Sequence, residues 1–150
     1  MTTNEALIKQ NFITKILLKN EDGELSKSLK VKIMQMRIKL AKVRKEFDED
    51  VQEAIKGFTP EGYSELMQKT DKTEDETKQI EDWNKQIQEE YNEFVIKRGQ
   101  DEIVVDTKLT EDEYNEILEV NAANDIEING QKINAADFLE ILYTLFVEEN

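Results

Sequence analysis

Between Leu25 and Lys56 the apolar residues recur at Leu29, Ile33, Met36, Leu40, Val43, Phe47, Val51 (or Asp50) and Ala54. These steps of four and three are the a/d repeat of a helix that keeps one seam against a partner. A strand cannot carry it, because strand side chains change face at every residue. The repeat predicts one long helix over 25–56, closed by Gly57 as the C′ residue. A second apolar set, Val31, Met34, Ile38 and Ala41, lies roughly opposite the seam. A helix apolar on two sides is sandwiched. The expected cover is helix one on one side and a third helix, or another subunit, on the other.

The neighbouring segments fit that frame. Residues 4–19 read as an amphipathic helix with Leu7, Ile8, Phe12, Ile16 and Leu17 on one side, ended by the turn Asn20-Glu21-Asp22-Gly23. Thr59-Pro60 reads as an N-cap and N1 pair opening a short helix. The polar stretch 68–77 reads as an exposed connection. A third long helix is expected from about Glu76 to Arg98, with Ile80, Trp83, Ile87, Tyr91 and Phe94 on its core face and Gly99 at its end. Trp83, Tyr91 and Phe94 are the residue types of a base-stacking platform, but their helical spacing with Ile80 and Ile87 reads as core.

Charge separates along the chain. The net charge is −14, yet residues 1–45 hold eleven Lys/Arg against four Asp/Glu, whereas residues 46–150 hold nine against thirty. From Ser26 to Lys45 there is no acidic residue among eight cations, including Lys39, Lys42 and Lys45 as a candidate basic face. At 100° per residue the eight scatter around the helix. The first use of this charge is therefore docking on the acidic third helix. Phosphate binding ranks below it, because the acidic remainder repels nucleic acid and membrane surfaces.

After Gly99 the period changes. Glu102-Ile103-Val104-Val105-Asp106 is β-rich, and Thr110-Glu111-Asp112-Glu113 is a capping box opening a helix through Tyr114, Ile117 and Leu118. Ile126 to Ile133 alternates around Asn129-Gly130, a hairpin signal. Asn134 caps a last helix over 135–148, whose apolar residues Phe138, Leu139, Ile141, Leu142, Leu145 and Phe146 cover a broad face. An EF-hand fails on register. With Gly130 at the sixth loop position, Asp125, Glu127 and Asn129 fit, but Lys132 takes the aliphatic eighth place and Ala136 the acidic twelfth. Ile133 and Asp137 each stand one place late. The reading is a hairpin, with no metal and no cofactor.

The absence of cysteine and histidine removes thiol and imidazole chemistry. No Gly-rich phosphate loop or zinc spacing is present. Acid pairs such as Asp48/Glu49 and Glu89/Glu90 are expected on solvated faces among 34 acids. The reading is not an enzyme. The first residues lack a signal-peptide pattern, and the longest apolar runs are about three residues, so a soluble product made in the cytoplasm is expected.

The whole is expected to be mainly α (α+β): one domain over 1–150, with an antiparallel helical hairpin or bundle over 4–98 and a small α/β subregion over 100–150 that holds a β-hairpin and a closing helix. This layout resembles an uncharacterised family of small acidic proteins encoded among the structural genes of tailed bacteriophages. The resemblance is carried by Asn4-Glu5-Ala6-Leu7, Leu29-x-Val31-x-Ile33, Ile126-Glu127-Ile128 and Asp137-Phe138-Leu139. It implies a virion structural or assembly component (capsid, head-fibre, head–tail or tail accessory), located in the virion or in the host cytoplasm during assembly. It brings no catalytic residues. The candidate interaction surface is Val31, Met34, Ile38, Phe58, Tyr63 and Met67. The expected partners are other virion proteins and further copies of the chain. The alternative is a small acidic adaptor or regulator binding a host or phage protein; a nucleic-acid binder acting through 26–45 ranks lower.

Overall fold

A computed structural model describes residues 1–16, 25–121, 126–128 and 130–147. The chain is mainly α-helical: α1 (Thr3–Ile16), α2 (Lys27–Phe58), α3 (Tyr63–Gln68), α4 (Glu74–Gly99), α5 (Glu111–Asn121) and α6 (Ala135–Phe146). Between α5 and α6, β1 (Ile126–Ile128) and β2 (Gln131–Ile133) pair antiparallel, Ile126 opposite Ile133, and Gly130 holds φ 77°. Leu17, the turn Asn20–Gly23, Asp125 and Asn129 lie outside the described residues.

The helix starts are chemically alike. The Thr110–Glu113 capping box forms as read, with Thr110 N donating to Glu113 Oε2 at 2.9 Å and Glu113 N to Thr110 Oγ1 at 3.2 Å. The same device opens α1, where Thr2 and Glu5 exchange bonds of 2.7 and 3.2 Å. At α4, Glu76 N donates to Thr73 Oγ1 at 3.2 Å. Both sequences, Thr2-x-x-Glu5 and Thr73-x-x-Glu76, carry the signal in plain form. It moves the start of α4 two residues ahead of the expected Glu76.

The end of α2 differs from expectation. Gly57 is not a C′ residue; the helix runs through it to Phe58. Thr59 is the C-cap of α2 rather than the N-cap of a new helix, its N–H and its hydroxyl both donating to Ile55 O. Pro60 is the cause, since proline pushes the preceding residue out of helical geometry, and Thr59 is extended at φ −71°, ψ 123°. The short helix α3 follows Gly62, which holds φ 82°.

The seam of α2 is buried as its spacing requires, through Leu29, Ile33, Met36, Leu40, Phe47 and Val51. Its cover is arranged differently. The first half of the seam enters a core with Ala6, Phe12 and Ile13 of α1, Ile117 of α5, and Phe138, Leu142 and Phe146 of α6. Each such side chain contributes about 1.5–3 kcal/mol when fully buried. The second half, at Phe47 and Val51, meets Leu7 with Tyr91, Phe94 and Val95 of α4. Two neighbours thus share one seam in succession, and among the described residues none covers the opposite side of α2 at Val31, Met34 and Ile38. On α4 only Ile80 and Gly99 are buried, so the expected core residues Trp83, Ile87, Tyr91 and Phe94 are half-exposed. A seam covered by one helix shields its edges incompletely.

The charge pairing also runs the other way. The ion pair joining α2 and α4 takes its cation from α4: Arg98 Nε lies 2.8 Å from Asp50 Oδ2. Among the described residues, the 26–45 cations pair with Glu113 of α5 (Lys32, 2.6 Å) and one turn along their own helix (Lys42–Glu46, Lys45–Glu49). The acidic helix meets the far half of α2, beyond reach of the basic stretch.

Residues 102–106 do not form a strand. Glu102 makes a single bridge to Thr2, flanked by Thr3 N to Asp101 O and Ile103 N to Met1 O, both 2.9 Å. The segment is tied instead to the start of α1 and, through Leu109 N to Phe146 O at 2.9 Å, to the end of α6.

Candidate interaction face

The outward side of α2 is built by the same periodicity that builds its seam. Val31, Met34 and Ile38, at i, i+3 and i+7, form one stripe on the side away from the core, and they are 48%, 55% and 65% exposed. Ala41 extends the stripe by one turn and is exposed as well. At 100° per residue, Lys27 and Lys30 fall beside its first end and Lys42 and Lys45 beside its second. All four side chains stand toward the solvent side, with Lys30 the least exposed. The pairs Lys42–Glu46 and Lys45–Glu49, at 3.8 and 3.7 Å, are well exposed and worth a few tenths of a kcal/mol.

The remaining candidates do not join this stripe. Lys39, Lys42 and Lys45 are all exposed, and Lys39 lies at the edge of the stripe, lining a shallow groove with Ser28, Val31, Gln35, Asp106 and Lys108. Phe58 is half-buried at the end of α2, some 30 Å along the helix from Ile38 at 1.5 Å per residue. Tyr63 is half-buried too; its ring packs on Trp83 with centroids 6.2 Å apart, and its hydroxyl donates to Asn84 Oδ1 at 2.5 Å. It is a packing residue that seats α3 on α4, not a free anchor. Met67 alone of that group is well exposed.

On α6, whose broad apolar face reads as buried, one large apolar residue, Ile141, is exposed, while Leu145 packs against the core from its edge. Phe138, Leu139, Leu142 and Phe146 fill the buried arc, leaving Ile141 exposed and Leu145 half-buried. Ile133, Asp137, Glu140, Ile141, Thr144 and Leu145 line a shallow groove there. The signal was the excess of apolar residues around α6, more than one buried arc can take.

Shifted ionisable groups serve structural contacts at separate places. Burial would raise the Glu113 carboxyl, but its bond with Lys32 and the Thr110 amide prevail and hold it below its ordinary value. The bond to Asp50 raises Arg98 above the usual guanidinium value. Burial raises Tyr114, whose hydroxyl donates to Leu139 O at 3.1 Å. Burial lowers Lys9, which sits 5.6 Å from the centre of the Phe146 ring. Among the described residues no cluster of three or more acidic groups is arranged to hold a metal ion. No helix there is long and apolar enough to cross a membrane.

Compared with known proteins, the chain matches no family model, no curated protein and no solved structure.

Proposed function

We propose that this chain is a non-enzymatic structural or assembly protein of a bacteriophage particle, acting by protein–protein contact in the virion or in the host cytoplasm during assembly. One observation carries the reading: the stripe Val31–Met34–Ile38, exposed on the outward side of a 32-residue helix whose other side is anchored in the core. Large apolar side chains at helical spacing on a rigid element are what a partner helix or groove docks against. The reading takes α2 and α4 as an antiparallel hairpin. In support, Arg98 near the end of α4 meets Asp50, and Tyr63, after the end of α2, meets Trp83 nearer the start of α4. The strands β1 and β2, in this reading a β-hairpin around Asn129-Gly130, close the α5–α6 end. Other virion proteins and further copies of the chain are the partners.

A phosphate-binding role for 26–45 has less support. Lys32 is engaged by Glu113, Lys42 and Lys45 pair within α2, and Lys39 shares its groove with Asp106.

The test is quantitative mass spectrometry of purified particles. A fixed, stoichiometric number of copies per particle is expected, together with its loss in an Ile38→Asp variant. Absence of the wild-type chain from particles and from their assembly intermediates overturns the reading.

A further inference from the structure

We infer that the side-chain amine of Lys9 is an acylation site, which takes a small acyl group from an acyl phosphate ahead of the other lysines of the chain. The site is a pocket between α1, residues 105–108 and the end of α6, and it stands independently of the contact reading above.

Lys9 is half-buried, and its Nζ donates to Thr107 Oγ1 at 3.2 Å and lies 5.6 Å from the centre of the Phe146 ring. Thr107 is itself buried, so its hydroxyl is a fixed part of the wall. Beside the amine opens a pocket of about 160 Å³, whose wall also carries Asp106, Lys108 and Leu145. At about 30 Å³ of liquid per water molecule, it has room for a few waters or for an acyl group of about two or three carbons. The charged groups around the amine are Glu5, one turn back on α1, and Met1, Asp106 and Lys108 on the pocket wall. Glu5 accepts from Thr2 N at 2.7 Å, the Met1 amine donates to Ile103 O at 3.3 Å, and Asp106 accepts from Lys108 N at 3.2 Å. Among the described residues no carboxylate stands within ion-pairing distance of Lys9. Lys32, Lys42, Lys45 and Lys69 each have one.

An ammonium held there with a hydroxyl and a ring face for company is poorly solvated. Burial lowers the Lys9 amine below its ordinary value, and Glu5 offsets only part of that. More of the amine is therefore neutral at a given pH, and the neutral amine is the nucleophile. Its lone pair attacks the acyl carbon and the N–C bond forms. The C–O bond to phosphate breaks, phosphate leaves with the electron pair, and the amine proton passes to water. The product amide is neutral, so the cost of burying a charge disappears. It keeps one N–H for Thr107 Oγ1, and the acyl carbons gain the apolar wall of Leu145 and Phe146.

The experiment treats the folded full chain with limiting acetyl phosphate at a series of pH values around and below the ordinary lysine range, about 10.4, and reads each lysine by peptide mass spectrometry. Lys9 is expected to carry the largest acetyl fraction, with the midpoint of its pH profile below those of Lys42 and Lys45. In urea the preference should be lost, because it belongs to the pocket and not to the flanking sequence. A long-chain acyl phosphate, too large for the pocket, should show no preference for Lys9. Lys108→Glu, which adds a carboxylate to the wall at an exposed position, should slow acetylation of Lys9 and leave Lys42 and Lys45 as they were. The chain acetylated at Lys9 should melt no lower than the unmodified chain. Acetylation of Lys9 no faster than that of Lys42 and Lys45 overturns the inference. So does a preference that survives in urea or with the long-chain donor, an unchanged Lys9 rate in Lys108→Glu, or a clear loss of melting temperature on acetylation.

Discussion

Arg98 of α4 donates to Asp50 of α2 at 2.8 Å, and the same guanidinium reaches Thr3 Oγ1 and Asp101 Oδ2, each at 3.1 Å. One side chain thus ties the start of α1, the far half of α2 and the end of α4. Arg98→Ala should cost about 2 kcal/mol, in the range for hydrogen bonds to charged groups. Asp50→Ala should cost about half as much, since Asp50 is 45% exposed and solvent screens the pair. Urea unfolding of the two variants and the double mutant checks this; strict additivity would refute a shared contact.

Gly57 distinguishes a helix that continues from one that stops. It lies inside α2, with open space where a Cβ would stand. Gly57→Ala should therefore stabilise the chain by about 0.5 kcal/mol, by helix propensity and a less free unfolded chain. A left-handed C′ glycine would give the opposite sign. Thermal denaturation reads the difference.

Glu113 adds an acid-sensitive contact through Lys32 at 2.6 Å. Its folded carboxyl is held below the ordinary 4.5. Its contribution is complete above the unfolded value and is lost as pH falls through the folded one. Glu113→Gln should lower stability by about 1 kcal/mol at neutral pH and by less below pH ~4, flattening the acid limb. Melting curves across that window test it; an unchanged acid limb would contradict the assignment.

Ile38 and Leu40 are two residues apart and face opposite ways, 65% and 0% exposed. Ile38→Asp should change stability by no more than about 0.5 kcal/mol, as exposed positions do. Leu40→Ala should cost about 2–5 kcal/mol, and Phe138→Ala, which removes a ring stacked on Phe12, about 3–5 kcal/mol. Chemical denaturation of the three variants separates the outward stripe from the core.

Much of the local structure was legible from residue types alone. The spacing from Leu29 to Val51 is enough for a long helix with one buried seam, and Thr110-x-x-Glu113 and Asn134-x-x-Asp137 are enough for two helix starts. Thr2-x-x-Glu5 and Thr73-x-x-Glu76 carry the same signal in equally plain form. Val31, Met34 and Ile38 were legible as a second apolar face and a candidate interaction surface, and all three are exposed. In the stretch 102–106 β propensity reports side-chain shape, whereas a strand needs a partner of matching length, and here only Glu102 is bridged, to Thr2.

By itself the sequence determined that long helices form around the Leu29–Val51 and Ile80–Phe94 repeats, that the first of them carries two apolar sides, and that thiol and imidazole chemistry are absent. These follow from period, caps and composition, all local properties. Only the tertiary structure decided that α1 and α4 divide one seam between them, that Arg98 rather than the basic stretch links α4 to α2, and that Ile141 stays outside. The reason is that a hydrophobic face specifies a need for burial but not its partner. Which neighbour arrives, and over which turns, depends on the lengths and connections of the helices together.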